Sequence, residues 1–132
     1  PPLQRAEGEG DPEPVSEGAP IEIPAPEPVP EGDWGRLVPV STLFQGDQFP
    51  LRKTVIIVGR GDDADLKLDR QGLSRHHAII RFNARRKVFF VLDNASKNGI
   101  YLNKKKVVSH DLAHLDVIHF HSEAFRFEWV NR

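Results

Sequence analysis

From Trp34 onward the chain alternates short apolar runs with polar turns. The runs are GRLVPV (35–40), TVIIVG (54–59), ADLKL (64–68), HAIIRF (77–82), KVFFVLD (87–93), IYLN (100–103), KVV (106–108), DVIHF (116–120) and FRFEWV (125–130). They are rich in Val, Ile and Phe, the side chains that suit a pleated, half-buried surface, and they predict strands. Phe125, Phe127 and Trp129 alternate with Arg126 and Glu128, which gives one buried and one solvated face. No stretch of about ten residues carries a helical stripe with caps. Nine short strands joined by turns such as GDDAD and SKNG predict an all-β fold, an antiparallel β-sandwich. The loops of a sandwich gather at its two ends, and function is expected there.

Residues 1–33 have a different texture. They hold nine of the eleven prolines and nine acidic residues against one arginine, with no period of 2 or 3.6. The segment is expected to be a disordered acidic tail, a solvated spacer or at most a weak electrostatic shield at low salt. The net charge of −1 therefore divides into −8 for residues 1–33 and +7 for a domain expected over 34–132. With 132 residues and 39% hydrophobic content there is room for one core. The chain has no cysteine, which excludes disulfides and thiolate metal sites. The longest apolar stretches, VIIV and VFFVL, are far short of a membrane span, and no apolar segment marks a signal peptide. A soluble fragment with no membrane role, monomeric, is the expectation.

Three loops carry the candidate chemistry. GRG (59–61) follows the VIIV strand, SRHH (74–77) precedes AII, and SKNG (96–99) joins VFFVLD to IYLN. Together they supply Arg60, Ser74, Arg75, Lys97 and Asn98. Arginine binds phosphate through a planar fork, lysine adds a point charge, serine a neutral donor, and an asparagine amide both donates to and accepts from a peptide backbone. The set suits an anion with a peptide attached. A nucleophilic site from Ser74 with His76 or His77 would need a base in reach and an oxyanion hole, a geometry that near neighbours at a loop–strand junction seldom meet.

Gly59-Arg60, then Ser74-x-x-His77, then Asn98-Gly99, in that order at strand edges, resembles the motif set of the forkhead-associated domain. Each pair alone is common, and the ordered set inside an all-β pattern carries the likeness, which covers about residues 34–131. The resemblance implies a sandwich of about eleven strands whose loops bind phosphothreonine peptides, with no catalysis and no cofactor. It implies phosphate contacts from Arg60, Ser74 and Arg75, added charge from Lys97, and an Asn98 bond to the peptide backbone. Gly59, His77 and Gly99 would support the site, with His77 pointing inward and His76 a surface residue without a role. The resemblance also points to phosphothreonine-containing proteins as partners in nuclear signalling, with the cytoplasm as the other compartment. The parent would be a checkpoint effector kinase or a mitotic-checkpoint ubiquitin ligase, although the leader lacks threonine and any Ser-Gln or Thr-Gln pair.

Two positions depart from the family pattern. Ile100 stands where threonine is common after Asn-Gly, and Leu115 where glycine often serves a positive φ. Other readings are weaker. His119 and His121 fall on one face of a strand but lack a nearby third metal ligand with obvious spacing, although His110, His114 or Asp116 could contribute, and the bland reading of sheet histidines is preferred. Asp62, Asp63 and Asp65 lack the central glycine and final glutamate of a calcium loop, and turn formation explains them more simply. Nucleic-acid binding would want aromatics interleaved with Lys or Arg, which are absent. A phospho-independent scaffold using a sheet face is the remaining alternative.

Overall fold

Two sheets form because nearly every run of alternating or continuous Val, Ile and Phe finds a partner strand. The computed structural model describes residues 23–30, 32–41 and 48–130, and most of the acidic tail expected over 1–33 lies outside them. Eleven strands follow in chain order: β1 (Gly35–Ser41), β2 (Phe49–Leu51), β3 (Val55–Gly59), β4 (Leu66–Lys67), β5 (Ala78–Asn83), β6 (Val88–Asp93), β7 (Ile100–Leu102), β8 (Lys105–Val107), β9 (Ser109–Asp111), β10 (Val117–Phe120) and β11 (Glu123–Trp129). One sheet has the order β2-β1-β11-β10-β7-β8 and the other β4-β3-β5-β6-β9. All named pairs run antiparallel except β3 with β4, which are parallel at Val58–Leu66 and Gly59–Lys67.

Nine strands coincide with the apolar runs. The two without such a run are β2, three residues that include Pro50, and β9, whose Ser109, His110 and Asp111 are all exposed. Neither has a buried alternation of its own. Each forms because a longer neighbour offers unpaired backbone groups, β1 to β2 and β6 to β9. Pro39 lies inside β1 opposite Phe125, and the register slips directly after it. A proline cannot donate to a ladder, and a bulge accommodates the missing bond.

The core lies between the sheets. Leu37, Ile118, Phe125 and Phe127 come from one layer, and Ile56, Ile80, Phe89 and Val91 from the other, each at most 1% exposed. Phe89 reaches across to Phe127 with ring centroids 5.9 Å apart and edge-to-face geometry. Burying one such aromatic contributes about 1.5–3 kcal/mol. Ahead of Trp34, Val29 packs on this core, and residues 27–29 pair with 52–54 through Thr54 N–H to Glu27 O (2.7 Å) and Val29 N–H to Arg52 O (3.0 Å). The domain's contacts thus begin a few residues before the boundary expected at 34.

Leu115 takes φ 76°, the left-handed conformation that glycine adopts freely. Its N–H bonds Phe127 O and its side chain is 54% exposed, so the turn is held by the backbone and little is gained from the leucine. Left-handed φ costs a β-carbon-bearing residue about 1–2 kcal/mol. Leu115→Gly is therefore expected to raise stability by roughly 0.5–1 kcal/mol after the entropy of glycine is counted. A thermal melt that shows a lower midpoint for the variant would refute this.

Candidate functional site

The site is built at the end of the sandwich where β3 stops. His77 N–H bonds Val58 O (2.8 Å), and beyond the strand Arg60 N–H bonds Ser74 O and Gly61 N–H bonds Arg75 O, each at 3.0 Å. The β3–β5 ladder thus continues into the two loops and sets Arg60 beside Ser74. This closeness requires glycine at position 59. A β-carbon there would lie 2.1 Å from the Arg75 carbonyl oxygen.

His77 ties this pair of loops to a third. It is fully buried, and its two ring nitrogens have opposite duties. Nδ1 accepts the Ser74 N–H at 3.0 Å, so it carries no proton, and Nε2 donates to Gly99 O at 2.8 Å. Only the neutral Nε2–H tautomer satisfies both bonds. Burial pushes its pKa below the ordinary histidine value, while the Gly99 carbonyl opposes that shift. Gly99 meets the ring at φ 76°, a turn conformation suited to glycine.

The β6–β7 loop is fastened to the β4–β5 loop twice more. Lys97 N–H donates to Ser74 Oγ at 3.0 Å, and Asn98 Nδ2 donates to Gly72 O at 2.6 Å. Within the loop, Gly99 N–H bonds Ser96 Oγ. Each anchored side chain keeps capacity in reserve. Ser74 Oγ accepts from Lys97, which leaves its own O–H proton to donate outward. Arg60 uses Nε on Leu73 O at 3.0 Å and leaves its two terminal amino groups for a ligand. Asn98 retains its carbonyl oxygen and a second N–H.

Arg60, Ser74 and Lys97 line one open pocket of about 550 Å³, together with Asp69, Gln71, Gly72 and Leu73. Asn98 stands beside it, braced on Gly72. Arg75 is exposed and is not in the wall, although its expected role was a phosphate contact. Its charge acts instead on Asp62 and Asp63 of the β3–β4 loop. Of the five expected ligands, three therefore share the pocket, one stands at its edge, and Arg75 lies to the side.

Several supporting residues escape a reading of the sequence. His76, expected to be without a role, places Nε2 2.8 Å from both carboxylate oxygens of Asp63 and so links the β3–β4 and β4–β5 loops. The His76 partner holds Asp63 below the usual carboxylate range, and Lys67 does the same for Asp62. Asp65 accepts from Lys53 and from Ile57 N–H, so all three aspartates of the GDDAD turn are engaged in pairing. Asn94, 7% exposed, donates to His76 O. From below, the buried Glu123 meets Arg70 Nε at 3.4 Å. His121 lies against Gly72, where a β-carbon would fall 2.3 Å from its Nε2. These partners are remote in sequence, and only the pairing of β10 with β11 delivers them under the loop. Among the described residues no cluster of three His, Asp or Glu side chains is placed to hold a metal ion.

This geometry has known counterparts. The sequence pattern of the FHA domain matches residues 56–121, half of the chain. The chain belongs to the FHA (forkhead-associated) domain family, whose domain is a non-enzymatic phosphopeptide-binding module. It is 39% identical over 79 residues to the FHA domain-containing protein FhaA of Mycobacterium tuberculosis, covering 59% of this chain and 15% of FhaA. The FhaA FHA domain in complex with the intracellular domain of Rv3910 superimposes with TM-score 0.61 and 30% identity over 72% of this chain and 98% of that one. A domain solved in work on phosphothreonine-dependent FHA interactions matches with TM-score 0.64 and 30% identity over 72% of this chain and 95% of that one. Mycobacterium tuberculosis EmbR in complex with a low-affinity phosphopeptide gives 0.67 and 25%, over 75% of this chain and 25% of EmbR. The chain thus spans a small part of FhaA and of EmbR. The curated relatives are mycobacterial and lend no support to a checkpoint kinase or ubiquitin ligase as the parent.

Because His77 resists protonation when folded, it contributes stability in full above the unfolded histidine value of about 6.5 and loses it as pH falls below that toward the folded pKa. His77→Ala is expected to lose about 1–3 kcal/mol at pH 7.5, since the Ser74 N–H and Gly99 O are left unpaired. The variant should also show a flatter dependence of stability on pH between 6.5 and 5 than the parent. Denaturant melts across that range check both points.

Proposed function

We propose that the domain binds phosphothreonine-containing segments of partner proteins at the Arg60–Ser74–Lys97 pocket. One observation carries the reading. Three donors converge on a single open pocket, and each is anchored through a group that a phosphate does not need. The terminal amino groups of Arg60, the Ser74 hydroxyl proton and the Lys97 ammonium are left to meet the phosphate oxygens. Asn98 holds a free amide oxygen beside them for a backbone N–H of the peptide. Arg75 contributes long-range charge rather than a direct contact. Preorganised donors reduce the ordering cost of binding, and each charge-assisted bond contributes about 1.5–3 kcal/mol.

The phosphothreonine-dependent interactions of one similar domain, and the phosphopeptide bound by EmbR, support extending this chemistry to the chain. The domain works as a monomeric reader of its partners' phosphorylation state.

Fluorescence polarisation with a phosphothreonine peptide and its unphosphorylated twin tests the reading. Arg60→Ala should lower the melting temperature only slightly, from the lost Nε bond to Leu73 O, and weaken phosphopeptide binding by about 10- to 100-fold, from the loss of one or two charge-assisted bonds. Arg60→Lys should restore only part, since a point charge replaces a planar fork. Equal affinity of parent and Arg60→Ala would place the phosphate elsewhere.

A further inference from the structure

The pocket has one residue whose charge opposes its proposed ligand. Asp69 stands in the same wall as Arg60, Ser74 and Lys97, with the Gln71 amide two residues on. A carboxylate beside a phosphate is repulsive, so its presence asks for a cation supplied from somewhere. The domain does not supply one by direct contact. Lys67 is a cation whose charge reaches Asp69, but its ammonium is bonded to Asp62 at 2.6 Å, and Arg60 and Lys97 of the same wall make no ion pair with Asp69. Arg70 donates to the Asp69 backbone carbonyl and not to its carboxylate. Neighbouring acids are engaged: Asp62 with Lys67, Asp63 with His76, Asp65 with Lys53, and Asp93 with Ser96. Among the described residues, no hydrogen bond or ion pair engages the carboxylate of Asp69, and it is exposed.

Nor does the carboxylate hold the loop in shape. The turn around it is closed by backbone bonds, Arg70 N–H to Leu68 O and Leu73 N–H to Arg70 O, and is braced from below by Glu123 through Arg70. Asp69 is thus a charged group in the pocket wall with no structural duty. We propose that Asp69 is a specificity-determining residue that selects phosphothreonine segments carrying lysine or arginine close to the phosphothreonine. The inference rests on the phosphothreonine reading of the pocket. Asp69 lines the same pocket as the phosphate donors and an extended peptide advances about 3.3 Å per residue, so the selected residue lies within a few positions of the phosphothreonine. The long stems of lysine and arginine suit that reach, and Gln71 offers a carbonyl oxygen as a second acceptor for the same head group. A cation there also relieves the repulsion between Asp69 and the phosphate, which couples the two recognition events.

The test uses the full chain and fluorescence polarisation. The peptides share one phosphothreonine core and carry Lys, Ala or Glu at the second or third position on either side. In the parent, Lys at one of these positions should bind about tenfold tighter than Glu. In Asp69→Asn that gap should close to within about twofold, with the melting temperature kept and the Ala peptide bound more tightly than by the parent because the repulsion of the phosphate is gone. In Asp69→Lys the preference should turn to Glu. Absence of a Lys preference in the parent at every position overturns the proposal, as does a preference that survives intact in Asp69→Asn. A chain that binds none of the phosphothreonine peptides overturns the reading of the pocket, and the role of Asp69 with it. A chain that binds them all alike overturns the role of Asp69 alone.

Discussion

A neutral imidazole buried between an N–H and a carbonyl is the constraint on which the rest of the site depends. Of the common side chains, histidine alone presents a ring donor and a ring acceptor in opposite directions without carrying charge. His77 uses both, on Ser74 N–H and Gly99 O, and so fixes the β4–β5 loop against the β6–β7 loop from inside the fold. A lysine in that position would bury a charge with no counterion, and an aliphatic residue would orphan two backbone groups. The Ser74 hydroxyl, the Lys97 amide and the Asn98 amide then fall into place because their backbones have already been set.

Charge at this end of the domain is arranged around that fixed frame. Lys67 and Lys53 pair with Asp62 and Asp65 of the acidic β3–β4 loop, and His76 Nε2 lies in hydrogen-bond reach of Asp63, so the three carboxylates are engaged locally and away from Arg60 and Lys97. These exposed pairs add little stability, since surface ion pairs contribute about 0–1 kcal/mol. Their effect is to keep the pocket cationic and the β3–β4 loop close to the β4–β5 loop. Bracing from the β10–β11 turn is less exposed to solvent, with Glu123 almost fully covered under Arg70.

Much of this was legible in the sequence. Strands with their own apolar alternation announce themselves, and β11 shows this most clearly in Phe125, Phe127 and Trp129. The residues of the three loops were readable because a motif sits where a strand ends. Strands β2 and β9 were not, since they are short and polar and owe their form to neighbours. Arg75 is expected among the ligands because it follows Ser74, yet it sits in the turn before β5, exposed and outside the pocket wall that Ser74 lines. His76 and Glu123 acquire partners only through tertiary pairing, 13 residues away at Asp63 and far down the chain at Arg70. The leucine at 115 in place of glycine put the geometry of the 113–116 turn in question, and the turn keeps the left-handed φ despite it.

The long-range fastenings at the pocket run largely to main-chain atoms. Arg60 holds Leu73 O, Asn98 holds Gly72 O, His77 holds Gly99 O and Asn94 holds His76 O. A carbonyl is present whatever side chain accompanies it, so the frame places few demands on the identity of the residues it clamps. Asp69, Gln71 and Arg75 are thus free to vary under mutation while the loops keep their shape. Grip and taste are separately heritable in such a design: drift in a few exposed positions can retarget the domain to new partners without refolding it, and descendants of one scaffold can divide a cell's phosphorylated proteins among themselves.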